Sequence, residues 1–146
     1  MSALEPAAYG DRVRIVPKGV WDKEDRLTLT VHDTLASTAS SVAMNRGQAG
    51  PVVPLTTIDR IVEEAGLDRV DFIKMDIEGA EMHALQGASN TIKQFKPKLA
   101  ICVYHDLSDF WTVPQFVRSL GLDYEFYFGH YTPHAEESVV FGRPRA

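Results

Sequence analysis

Between positions 51 and 122 the hydrophobic period switches repeatedly between helix and strand spacing, and this alternation constrains the fold more than any other feature of the chain. From Thr56 to Ala65, Ile58, Ile61, Val62 and Ala65 fall on one face and Asp59, Arg60, Glu63 and Glu64 on the other. That is an amphipathic helix, stopped by Gly66, a residue suited to a left-handed cap. Val70 to Met75 reads as a short buried strand interrupted by Lys74. Ala80 to Phe95 returns to helix spacing through Ala84, Leu85, Ala88, Ile92 and Phe95, and Pro97 closes it. Leu99 to Tyr104 is a second near-continuous apolar strand, followed by a helix near Val113 to Leu120. Strands alternating with helices of these lengths imply βαβ units and a parallel sheet.

The flanks read differently. Val13 to Val16 alternates and is stopped by Pro17, and Leu27 to Val31 alternates strictly, with Asp22 to Asp25 polar enough for a hairpin turn between them. A Ser-, Ala- and Gly-rich loop follows from Asp33 to Gly50; loops of that length usually serve function. Tyr124 to Phe128 and Ser138 to Phe141 read as a closing antiparallel pair. Gly87 inside a helical pattern costs about 1 kcal/mol against alanine, which implies close helix–sheet packing. At 146 residues the chain fits a single domain, 1–146.

Composition excludes several classes. The formal charge of −5 disfavours holding a nucleic-acid backbone by phosphate neutralisation. Cys102 is the one cysteine, so neither an intrachain disulfide nor a CxxC zinc site is available, and its apolar strand argues for an inert buried thiol. No apolar run approaches the roughly 18 residues of a membrane helix, and the first residues lack a secretory pattern. The expectation is a cytoplasmic domain without nucleic-acid or membrane partners.

In open α/β sheets, ligands bind beyond the carboxyl ends of the strands. Polar residues recur there: Glu5 after the first segment, Asp22 after Trp21, Asp76 and Glu78 after Met75, and His105 and Asp106 after Tyr104. One rim collecting Glu5, Asp76, Glu78, His105 and Asp106 could grip ribose hydroxyls, take a proton from an alcohol through His105, or hold a divalent cation. Asp76 and Glu78 also precede a helix, where carboxylates cap and complement the dipole. His32, His83, His130 and His134 read as ordinary surface residues.

The run Val70-Asp71-Phe72-Ile73-Lys74-Met75-Asp76-Ile77-Glu78-Gly79-Ala80-Glu81, followed by Leu85-Gln86-Gly87-Ala88, resembles the signature of FkbM-type methyltransferases. Tyr104-His105, followed by Trp111 and Pro114, resembles a second motif of that family; Glu5-Pro6, Gly19-Val20-Trp21-Asp22 and the closing strand pair fit it as well. The resemblance implies an α/β, Rossmann-like class I methyltransferase fold, with a mostly parallel sheet and an antiparallel C-terminal hairpin. It implies S-adenosylmethionine as cofactor and O-methylation of a small molecule or sugar. Carried over by position, Glu5 would hold the ribose hydroxyls, Val20 and Trp21 would border the adenine, and Asp76 would sit near the methionine end. His105 would face the acceptor as the base.

The resemblance also implies a first strand and a glycine-rich turn before Glu-Pro. Here Met1 stands four residues before Glu5, and no GxGxxG or GxGxG spacing occurs. The expectation is an N-terminally truncated domain whose exposed sheet edge favours a homodimer. A non-catalytic fragment that no longer binds the cofactor on its own is the alternative. A Mg²⁺-dependent variant, with Asp76, His105 and Asp106 as ligands, is a third reading.

Overall fold

A computed structural model describes residues 12–28, 52–134 and 136–145. The order is β1 (Gly19–Val20), β2 (Asp25–Thr28), β3 (Val52–Thr56), α1 (Ile58–Ala65), β4 (Phe72–Met75), α2 (Glu81–Gln86), α3 (Ser89–Phe95), β5 (Lys98–Cys102), α4 (Asp109–Ser119), β6 (Tyr124–His130) and β7 (Ser138–Pro144). Among the described residues it is a mixed α/β arrangement with two sheets, a smaller one ordered β1-β3-β2 and a larger one ordered β4-β5-β7-β6.

The larger sheet sets the site. β4 and β5 are parallel, β7 runs antiparallel to both β5 and β6, and so β4, β5 and β6 all finish at one edge. The register pairs Met75 with Ile101, and Val139 with both Cys102 and Gly129. The residues after Met75, Cys102 and His130 therefore leave the sheet side by side. Among the described residues β4 pairs only with β5 and forms the sheet's edge.

The core explains the alternation. Ile73, Met75, Leu99, Ile101 and Val140 from the strands meet Leu85, Ile92, Val113 and Val117 from the helices in one buried cluster. Each such side chain contributes on the order of 1.5–3 kcal/mol by leaving water. The buried hydroxyl of Tyr124 donates to the Pro97 carbonyl at 2.7 Å and ties β6 to the start of β5. Trp21, Leu55 and Ala80 form a second small cluster, which Ile77 joins to the first.

α1 ends where expected and starts at Ile58, two residues after the expected Thr56, with Thr57 as its cap. The Thr57 hydroxyl accepts from the Arg60 N–H at 3.0 Å, and Gly66 closes the helix at φ 62°. The span from Ala80 to Phe95, expected as one helix, is two helices with a corner at Gly87–Ala88. Neither helix has a side-chain cap of its own. Asp59 of α1 caps α3 from outside, accepting from the N–H groups of Asn90 and Thr91 and from the Thr91 hydroxyl at 2.7–3.0 Å. The Asp59 N–H in turn donates to the Gly87 carbonyl, so the corner is held in both directions.

Three further expectations change. Val13–Val16 forms no strand. Asp22–Asp25 is not a hairpin turn, because β1 and β2 do not pair; each flanks β3, one parallel and one antiparallel. α4 begins at Asp109, four residues before the expected start. The continuation of β2 through Val31 and the Asp33–Gly50 loop lie outside the described residues, as does Glu5.

Candidate functional site

The turn between β4 and α2 carries a polar cluster. The Lys74 ammonium donates to Asp76 Oδ2 at 3.1 Å, and the Tyr104 hydroxyl donates to Asp76 Oδ1 at 2.9 Å. Burial pulls the Asp76 carboxyl upward, but these two donors outweigh it, and its pKa lies below the usual value. Tyr104 shifts the opposite way: burial and the charge of Asp76 push its phenol well above the ordinary range. Cys102, at the tip of β5, is buried, and desolvation followed by the charge of Asp76 pushes its thiol up to about 12.

The backbone then turns sharply. Glu78 and Gly79 both take positive φ, 59° and 93°. For glutamate this left-handed conformation costs on the order of 1–2 kcal/mol. The compensation comes from Glu81, the first residue of α2. Its two carboxylate oxygens accept the N–H groups of Ile77 and Gly79, each at 2.9 Å. Glu81 is fully buried at 0% exposure. Hydrogen bonds to an ionised group contribute about 1.5–3 kcal/mol each, enough to hold the turn in its strained shape.

His105 leaves β5 beside this turn. Its side chain is 12% exposed. Nδ1 lies 3.1 Å from Glu81 Oε1, and Nε2 lies 3.3 Å from Glu78 Oε2 and 4.0 Å from Asp76 Oδ1. Both ring nitrogens are buried, yet neither is in line with an acceptor for a full hydrogen bond. The Tyr104 ring sits 4.0 Å away, centre to centre. Asp109, buried at the start of α4, is raised by desolvation and then by the charges of Asp106 and Glu81, with its Thr112 bond opposing.

The sequence-derived rim is thus partly assembled. Asp76, Glu78 and His105 converge. Asp106 stands apart: its carboxylate accepts the Ser108 N–H at 2.8 Å within its own turn. Neither Asp76 nor Glu78 caps α2. Glu81, absent from the site candidates, holds the turn in their place; its sequence signals are its place at the end of the signature run from Val70 and its position in the first turn of a helix. Asp76, Glu81 and His105 each bring one potential ligand atom within 4.8 Å of the others. However, Glu81 spends both oxygens on backbone amides and Asp76 is held by Lys74 and Tyr104. That wiring suits proton handling better than the six or more oxygen ligands of a hard cation.

Val20 and Trp21 line an apolar cavity of about 280 Å³ with Gly19, Leu27, Leu55 and Ile77. Ile77 joins this cavity to the acidic turn, since its own N–H is held by Glu81. One face of Trp21 is covered by His83, stacked at 3.8 Å, and His83 Nδ1 pairs with Asp22 Oδ2 at 2.9 Å. His83 is therefore a packing residue rather than an idle surface histidine.

The molecule is, by its geometry, a mixed α/β domain with an acid–imidazole cluster at its strand ends, next to an apolar slot. The model of the methyltransferase FkbM domain matches residues 3–130, and the chain belongs to that family. The crystal structure of methyltransferase FkbM from Methylobacillus flagellatus KT is similar at TM-score 0.70 and 27% identity, over 92% of this chain and 29% of that one. The chain thus spans less than a third of that relative's length. No curated protein matches. Among the described residues no helix is long and apolar enough to cross a membrane.

Proposed function

We propose that this domain serves S-adenosylmethionine-dependent methylation of a hydroxyl oxygen on a small molecule or sugar, in a Rossmann-like frame. The observation that carries the reading is His105: an imidazole with both nitrogens buried and unpartnered, set against three carboxylates at the carboxyl ends of β4 and β5. That is the place where open α/β sheets bind ligands.

The residues fit the cofactor's chemistry. The apolar cavity beside Val20 and Trp21 suits a flat heterocycle, and Asp76, held ionised by Lys74 and Tyr104, suits the cationic methionine end. Glu5 is assigned to the ribose hydroxyls. When bound, the cofactor supplies an electrophilic methyl group. The chain's own work is to align the acceptor and to remove its proton. His105 Nε2 accepts that proton, and Glu78 and Asp76 stabilise the imidazolium that results.

Thermal unfolding with and without S-adenosylmethionine tests the binding half. Ligand at about 100 times its dissociation constant adds roughly 2.7 kcal/mol. A folded chain whose transition does not move supports a fragment that cannot hold the cofactor alone. For the chemical half, His105→Ala lowers turnover while leaving cofactor affinity in place; equal loss of both counts against His105 as the base.

A further inference from the structure

We infer that Glu81 is a positioning residue: its buried carboxylate fixes the neutral His105 ring with its proton on Nδ1, so that Nε2 is the nitrogen left to accept the proton of the methyl acceptor. The catalytic consequence rests on the reading of His105 as the base. The tautomer itself does not.

The argument starts from unequal solvation around one ring. Three carboxylates approach His105. Asp76 and Glu78 have side chains 28% and 34% exposed, so water reaches both, and Asp76 already takes bonds from Lys74 and Tyr104. Glu81 has no exposed surface. A buried carboxylate without enough donors costs several kcal/mol. Two backbone amides supply part of the need, and His105 Nδ1, 3.1 Å from Oε1, is the side-chain donor within reach. Nδ1 thus faces the one carboxylate of the three with no exposed surface, while Nε2 faces two that water reaches.

Packing supports the same orientation. Tyr104 lies tilted against the ring, 4.0 Å centre to centre and 39° between planes, and a Cβ on Gly79 would make ordinary contact, 3.9 Å, with the His105 Cβ. Nδ1 and Oε1 lie within hydrogen-bonding distance but out of line; such bonds are often misaligned in unliganded sites and tighten on loading. In the proposed step the acceptor's O–H bond breaks and an N–H bond forms at Nε2. The electron pair stays on the oxygen; with a sulfonium donor bound, the O–C bond would form as the donor's C–S bond breaks, and that electron pair would remain on the departing thioether sulfur. Glu81 keeps its charge and offsets that of the imidazolium. One carboxylate thus couples the Asp76–Gly79 turn to the base.

The test is the long-range proton–nitrogen correlation spectrum of the full chain labelled with ¹⁵N-histidine, the His105 signals being assigned by their loss in His105→Asn. The expected result is a neutral ring protonated at Nδ1. In Glu81→Gln, checked for folding by circular dichroism, the tautomer ratio moves toward Nε2–H by about tenfold, as loss of a charged hydrogen bond requires. An Nε2–H ring in the unaltered chain overturns the inference, and this holds even where Glu81→Gln fails to fold. An unmoved ratio in a folded Glu81→Gln overturns it equally. Full turnover in His105→Ala would remove the base reading and leave the tautomer result standing, so the two failures are distinct.

Discussion

A Cβ built on Gly87 would lie 2.0 Å from the carbonyl oxygen of Trp21. The contact is backbone against side chain, and no rotamer change can relieve it. Gly87 has an ordinary helical φ of −72°, so the demand for glycine here is one of space rather than of conformation. This contact sets how closely the α2–α3 corner approaches the segment that carries Val20 and Trp21. Gly87→Ala is expected to destabilise the domain by about 1–3 kcal/mol through overpacking. Calorimetry would show this as a fall in Tm of about 2–4 °C per kcal/mol. An unchanged Tm would mean that the corner moves freely, against the close docking described.

Asp59 caps a helix other than its own. Asp59→Ala removes three hydrogen bonds from the start of α3. The expected cost is about 0.5–2 kcal/mol, the range of an N-cap. Urea midpoints for Asp59→Ala and Asp59→Asn separate the effects, because the amide retains an acceptor oxygen and recovers part of the loss. Equal loss in both variants would point to charge rather than capping.

Tyr104→Phe removes one of the two donors that hold Asp76 below the usual carboxyl range. Its pKa is expected to rise. The carboxyl ¹³C titration of Asp76 in both proteins measures this directly; a titration that stays in place would assign the depression to Lys74 and Cys102 instead.

The pair Glu125 and Arg143 dominates the outer face of the β6–β7 hairpin, with Tyr127 and Arg145 bonded to the same carboxylate. The Arg143 and Tyr127 bonds lower the Glu125 pKa from 4.5 to about 2. A carboxyl depressed by folding stabilises the native state above its unfolded value. That contribution fades as pH falls from about 4.5 toward about 2. Glu125→Gln is therefore expected to narrow the gap between denaturation midpoints at pH 6 and pH 3. A gap as wide as in the unaltered chain would show that the ion pair carries no linkage.

Much of the frame was legible from periodicity. The β4–α2 and β5–α4 successions, the Gly66 end of α1 and the closing strand pair follow from local rules of burial and capping. The split at Gly87–Ala88 was not, because its causes lie in Asp59 and Trp21, far away in sequence. The relation of β1 to β2 was equally hidden: Asp22–Asp25 reads as a turn, but whether the flanking strands pair depends on β3 entering between them. In the site, Asp76, Glu78 and His105 could be found from strand ends. Glu81 could not, since a glutamate in the first turn of a helix reads as a wet dipole partner, and only the positive φ angles of Glu78 and Gly79 turn two amides toward it. His83 reads as a surface histidine and is 45% exposed; its contacts with Trp21 and Asp22, the latter 61 positions away, leave no local signal.

The central claim is that the apolar slot beside Trp21 and the acid–imidazole turn form one binding site. Amide chemical-shift mapping of the full chain, titrated with S-adenosylhomocysteine, tests it without an acceptor. The account predicts shifts at Val20, Trp21, Asp76, Ile77 and His105, with no change at Thr57, Asn90 and Gln94, which line a separate groove between α1 and α3. Shifts confined to that groove, or none at millimolar ligand, would contradict it.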